Sequence, residues 1–318
     1  MVHKKSVLPA ILISLSSVGL YAISVPANAD PYQQNFCSQT TQAALKACRA
    51  GNMDDYWIAM GNCSNLMDEN ARSSCKTETK QLSREVQTEC KQQSEARADI
   101  CAVIGEAAYD PQIAPANFVD PLQIGSSVAA NAYFPLVPGN KWTYEGGGET
   151  NIVTVTEETK EIQGVKCIVV IDTVTEDGDL VEDTESWYAQ DISGRVWFFG
   201  EISKSFEDGE LTEIESFWEA GVDSAKAGVL QQAAPQVGDM YRQEFVLGET
   251  EEVTEVISLN ATASVPAVSC VEECLMTREF TALEPGIEHR YYAPGIGFIL
   301  EIHPDTGERF ELIEMITR

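Results

Sequence analysis

The sequence predicts an α+β protein: a disulfide-stapled N-terminal helical segment followed by a long antiparallel β meander, built as a curved sheet, a half-barrel or a sandwich. Three observations predict it. Six of the nine cysteines fall between Cys37 and Cys101, evenly spaced in a stretch of helical composition. From Ala132 onward, runs of Val, Ile, Thr and aromatic residues alternate with residue-Gly turn pairs. The first 29 residues read as an export signal, which gives the chain the oxidising route that disulfides require.

Residues 1–29 carry a basic start (His3, Lys4, Lys5), an apolar stretch from Val7 to Val25, and Pro26-Ala27-Asn28-Ala29 as a small-x-small cleavage pattern. Cleavage after Ala29 leaves no further run long enough to span a membrane. The expected location is therefore periplasmic or extracellular. The formal net charge of −29 becomes more negative once Lys4 and Lys5 are removed. Such a surface repels nucleic acid and anionic lipid, so neither is an expected partner.

Residues 30–105 form the cysteine-rich segment. Cys37 and Cys48 are 11 apart, Cys63 and Cys75 are 12 apart, and Cys90 and Cys101 are 11 apart, which reads as a degenerate threefold repeat of 26 to 27 residues. Ala, Gln, Glu, Lys, Arg and Ser dominate, with Gly51 and Gly61 as expected breaks. Eleven residues span about three helical turns, so each pair shares a face about 16 Å apart. Such cysteines bond a neighbouring helix and not each other. Three antiparallel helices would place three thiols at each end. The alternatives are one long helix from Cys63 to Ile104, a bridge that crosses the layers, or a thiolate metal site. Apolar residues here are few, so the fold leans on covalent links.

Residues 106–131, with Pro111, Pro115 and Pro121, read as a largely extended linker. Residues 132–318 form the β domain. Gln163-Gly164, Asp177-Gly178, Ser193-Gly194 and Asp208-Gly209 mark hairpin turns between strands near 150–160, 165–175, 180–190, 195–204 and 211–219. Ala220 to Gly238 reads as a loop or short helix. Strands follow near 241–247, 252–260, 271–282, 288–293, 297–303 and 308–316.

Three segments, Tyr133–Gly146 (YFPLVPGNKWTYEG), Trp187–Glu201 (WYAQDISGRVWFFGE) and Tyr291–Glu301 (YYAPGIGFILE), resemble a broad group of exported bacterial proteins of largely unknown function. The resemblance covers about 132–318 and implies no site residues. The meander also resembles, at fold level, the open half-barrel of periplasmic lipoprotein carriers.

The sequence lacks G-x-S-x-G, H-E-x-x-H, C-x-x-C-H, P-loop and dinucleotide motifs, so no catalytic residue and no cofactor is expected. After cleavage two histidines remain, His289 and His303, as metal candidates with Glu288 and Glu301 if the hairpin register sets them on one face. Cys167 and Cys274 are a candidate bridge, with Cys270–Cys274 as the competing pair and one thiol left over. The aromatic residues Trp187, Trp197, Phe199, Trp218 and Tyr292 are the expected ligand-binding set. The leading functional expectation is a non-catalytic exported protein that binds a hydrophobic or amphiphilic ligand. The partner is then a small apolar ligand or another exported protein. The alternatives are a surface-assembly protein acting through protein contacts and a carboxylate-based hydrolase.

Overall fold

The computed structural model describes residues 35–318, so the expected signal peptide lies outside the described residues. Two helices, α1 (Phe36–Ser64) and α2 (Glu69–Ile104), form an antiparallel hairpin. Asp68 caps α2 by accepting from the Ala71 N–H at 2.7 Å. No described helix is long and apolar enough to cross a membrane.

The hairpin corrects the threefold reading. Gly51 and Gly61 lie inside α1 and do not break it, and Cys63 ends that same helix. Bonds join Cys37 to Cys101, Cys48 to Cys90 and Cys63 to Cys75, with Cα atoms 5.7, 5.8 and 5.5 Å apart. The cysteine intervals are therefore a palindrome of 11, 15, 12, 15 and 11 residues about the turn. Eleven and fifteen are close to whole numbers of helical turns, so all three thiols on each helix face the other helix. Much of what is buried with them is polar: Thr41, Asn52, Thr79 and Ser83, with Asn52 donating to the Ser83 carbonyl at 2.9 Å. Three rungs stand in for the missing apolar interior.

The β domain comprises β1 (Lys141–Gly146), β2 (Glu149–Ile162), β3 (Val165–Glu176), β4 (Asp179–Gln190), β5 (Val196–Glu207), β6 (Glu210–Glu219), β7 (Lys226–Gln231), β8 (Met240–Arg242), β9 (Glu244–Phe245), β10 (Glu252–Val265), β11 (Val268–Thr281), β12 (Glu288–Ala293), β13 (Gly297–Ile302) and β14 (Arg309–Ile316). Every pairing between these strands is antiparallel. The order is β8-β10-β11-β12-β13-β14-β1-β2-β3-β4-β5-β7-β9, with β6 attached to β5. The stretch 220–238, expected as a loop or short helix, contains β7.

The two ends of this sheet are neighbours in the chain. β8 pairs with β10 and β9 pairs with β7, and only Gln243 lies between them. One short segment thus joins the two ends of the curved sheet into a barrel-like ring, and β6, which pairs with β5 alone, keeps an exposed edge. Gly228 is the contact point: a Cβ there would sit 2.1 Å from the Gln243 carbonyl oxygen. β5 is shared along its length. Val196–Phe198 pair with β7, whereas Gly200–Glu207 pair with β6. At the changeover Gly200 has φ 141°, and a Cβ there would lie 2.2 Å from the Trp218 carbonyl oxygen.

The hairpin docks on the outer face of β10 and β11. Ile100, Ala96 and Ile104 pack on Val253, Phe280 and Ala282. Arg97 and Glu251, 5% and 1% exposed, form a salt bridge of 2.7 Å beneath them. The linker is not a free connector. It makes two 3₁₀ turns, Pro115–Asn117 and Pro121–Gln123, and lies along the barrel wall. There Phe118 meets Phe199 edge-on at 5.5 Å, and Tyr109 donates to the Ala227 carbonyl at 2.9 Å.

The Cys167–Cys274 bridge does not form, because β3 and β11 are far apart in the strand order. Cys270 and Cys274 bond each other across a bulge, where Ala261 and Ala263 of β10 face Cys274 and Cys270. Cys167 is free and fully buried, and burial pushes its thiol up to about 12, which makes it inert.

Arg97→Ala leaves Glu251 buried without its bidentate partner. The expected loss is about 3 kcal/mol, measured by urea unfolding. Gly228→Ala forces the closing segment away from β7. It is expected to destabilise by about 1–3 kcal/mol in the same assay, whereas alanine at the open position Gly61 does not.

Candidate functional site

Closure gives the sheet an interior, and alternation along each strand decides what fills it. At one end the chain entering β1 forms a plug. Asn131 holds it: its side chain donates to the Gly194 and Gln232 carbonyls at 2.8 and 3.0 Å and accepts from the Tyr133 and Phe134 N–H groups. Phe134, Pro135 and Leu136 then floor a cavity of about 570 Å³ inside the barrel. Its wall is apolar and aromatic, with Trp142, Tyr144, Val155, Val170, Tyr188 and Phe298. Toward the other end the lining turns polar, with Glu149, Asn151, Asp172, Arg290, Glu301, His303 and Arg309.

The aromatic donors are already engaged. The Trp142 indole donates to the Ile296 carbonyl at 2.9 Å, the Tyr144 hydroxyl to the Phe298 carbonyl at 3.1 Å, and the Tyr292 hydroxyl to Glu279 at 3.0 Å. Burial holds the Tyr144 and Tyr292 phenols well above their ordinary value.

The polar half is dominated by carboxyl groups around a single guanidinium. Arg290 donates through Nε to Glu301 at 2.7 Å and through Nη2 to Glu288 at 2.7 Å, and its Nη1 lies 2.6 Å from Glu279. Burial alone would lower Arg290, but Glu279, Glu301 and Glu288 outweigh it and fix the charge. Carboxyls without so close a cation are pushed the other way. Burial, reinforced by Glu182, raises Asp172 to about 7. Burial also raises Glu252 to about 7, although Arg290 partly offsets it. Glu244 is raised well above the ordinary range by burial and then by Glu252 and Glu201.

The structure separates the two histidines. His289 pairs with Ile302 and Arg290 with Glu301, so His303 shares the inner face with Glu301 while His289 lies on the other face. The register is one residue away from the arrangement that would join them. Glu288, Glu301 and His303 each bring a ligand atom within 4.8 Å of the others, but Arg290 already bonds both carboxylates.

Of the aromatic residues expected to bind ligand, Tyr292 lines the cavity. Trp187 and Phe199 pack outside the ring, and Trp197 lies partly buried against the same cluster. Lys160 sits 3.1 Å over the Trp187 ring, and Trp197 donates to Asp191 at 3.0 Å. Trp218 is buried edge-on against Phe198 at 4.9 Å, and Phe198 in turn stacks on the lining residue Tyr188, but Trp218 does not itself line the cavity. The lining also includes Trp142, Tyr144 and Tyr188, which belong to the clustered aromatic residues of the sequence but not to the five expected to bind ligand, and Phe134, Phe298 and Phe310, which were not foreseen. Period-two spacing in Lys141–Glu145 was the available signal, since it sets Trp142 and Tyr144 on one face. No family model, curated protein or solved structure matches the chain.

Glu252 binds its proton more tightly in the folded state than in the unfolded chain. That contribution to stability is complete below the ordinary carboxylate range, about pH 4, and is lost as the pH rises to about 7. Glu252→Gln should therefore raise the melting temperature relative to wild type in alkaline buffer and give no gain below about pH 4, as read from thermal melts across pH.

Proposed function

We propose that this protein is a non-catalytic exported binding protein whose barrel holds an amphiphilic small molecule. One observation carries the reading: the interior is not filled by side chains but leaves about 570 Å³, apolar at the plugged end and polar at the other. Binding cavities of small-molecule proteins run from about 300 to 1,000 Å³ and combine an apolar wall with a few placed polar groups. An extended apolar tail against Trp142, Val155 and Phe298, with its polar head toward Asp172, satisfies both halves.

The sequence motifs support the same site. Tyr133–Gly146 supplies the plug and β1, and Tyr291–Glu301 supplies Tyr292, Phe298 and Glu301. Membership of the exported group that shares these motifs belongs to the proposal. So does residence in the periplasm or outside the cell, with which four disulfides agree.

A second reading, action through protein contacts, has its own observation on the hairpin. Trp57, Ile58 and Leu82 are 63%, 58% and 61% exposed, far more than a helix with only an internal role requires. In the combined picture the barrel holds the ligand and the hairpin meets a partner.

Val153→Trp places a bulky ring in the lining. Binding of an apolar fluorescent probe is expected to fall at least about tenfold while the far-ultraviolet circular dichroism stays that of the wild type. Unchanged probe affinity would place the ligand elsewhere.

A further inference from the structure

The hydrogen-bonding chemistry of the cavity is lopsided. Its charged donor and three of its aromatic donors are committed to the protein: Trp142, Tyr144 and Tyr292 donate to wall groups, and Arg290 spends all three guanidinium nitrogens on Glu301, Glu288 and Glu279. Arg309, at the rim, is turned onto Glu311. Among the lining residues the buried atoms left without a partner are acceptors. Asp172 Oδ1 and Asn151 Oδ1 are buried and have no hydrogen-bond partner among the described residues, although the Asn151 side chain bonds the Asp172 carboxyl and partly offsets the effect of burial on it. An unmet buried polar atom is costly, so a complementary ligand supplies the missing half of the bond.

The sheet register puts these acceptors beside the aromatic wall. Asn151 pairs with Tyr144 across β1 and β2, and Val153 pairs with both Trp142 and Asp172. Asp172 and Trp142 therefore flank Val153 on the same face, two strand spacings or about 10 Å apart, so a chain that starts at Asp172 reaches the Trp142 ring within its first few carbons. The charge balance favours a cation, because the three carboxylates on Arg290 exceed its single positive charge. An anionic head would meet a guanidinium already shared among three carboxylates.

Resting on the amphiphile reading above, we infer that the ligand is a cation bearing its own N–H donors, in chemical class a primary alkylammonium. Its nitrogen seats at Asp172 and Asn151, and its chain lies along Trp142 and Phe298 toward the plug.

The test is isothermal titration calorimetry of the secreted full-length protein with three ligands of equal chain length: octylammonium, octanol and octyl sulfate. Octylammonium is expected to bind at least about tenfold more tightly than octanol, as a charge-assisted bond to a buried carboxylate requires, with octyl sulfate the weakest. Asp172→Asn keeps the shape and removes the charge, and it is expected to erase the preference for octylammonium over octanol. Equal binding of the three, tighter binding of octyl sulfate, or a preference that survives Asp172→Asn would overturn the inference and leave the amphiphile reading standing. If none of the three binds, that reading fails as well. Should Asp172→Asn fail to fold, the wild-type ranking alone decides.

Discussion

Everything inside this protein depends on six residues, 240–245, that belong to both ends of the sheet. β8 and β9 differ only in which neighbour they pair with, so the ring is joined by a strand that changes partner at Gln243. Without that join the inner faces of β1–β5 and β10–β14 would be one side of an open sheet, wet throughout. With it they surround a volume in which burial raises the carboxyl groups and unmet acceptors carry a cost. The sequence cost of the join is specific: residue 228 has to lack a side chain because the Gln243 backbone occupies the space.

The interior is not arranged for maximum stability. Asp172, Glu244 and Glu252 are all held above the ordinary carboxylate range by burial, and Arg290 is the cation shared among Glu279, Glu288 and Glu301. Replacing such groups with apolar residues is often neutral or stabilising. Keeping them inside a ring that already has apolar walls agrees with the proposed binding role. The plugged end, with Leu136, Val155, Ile299 and Leu312 almost fully buried, has the composition of an ordinary β core.

Much of this was legible in the chain. Turn pairs such as Gln163-Gly164 and Asp177-Gly178 located the hairpins because those positions need positive φ, and they have it. The helical character of 36–104 was equally plain. The cysteine intervals were legible but ambiguous: a threefold repeat and a palindrome share the same numbers, and only the position of the helix turn at 65–68 decides between them. Parity was the harder problem. Trp187, Trp197 and Phe199 are the most conspicuous aromatic residues, yet they pack on the outer side, while Tyr188, between two of them, faces in. A strand buried on both sides gives no alternation from which to read direction. The acidic interior was hidden for a different reason. Among 50 acidic side chains, nothing local distinguishes Asp172 from the solvated majority.

The hairpin and the barrel solve the same problem by opposite means. The barrel has enough apolar residues to hold a fold together and uses the surplus of its interior for charge. The hairpin has almost none, and its interface is built from thiols, hydroxyls and Asn52. Covalent rungs at both ends and in the middle fix it without an apolar stripe, which leaves its outer surface free of structural duty. Among the described residues its attachment to the barrel runs over the C-terminal part of α2, through Gln93 to the Leu283 carbonyl, Arg97 to Glu251 and the cluster around Ile100. A rod stapled along its whole length and anchored at one end keeps Trp57 and Ile58 at a fixed distance from the barrel. A helix pair held by packing alone would have had to bury those side chains to remain folded. The disulfides thus do more than stabilise: they allow apolar residues to stay on the outside of a segment that would otherwise need them within.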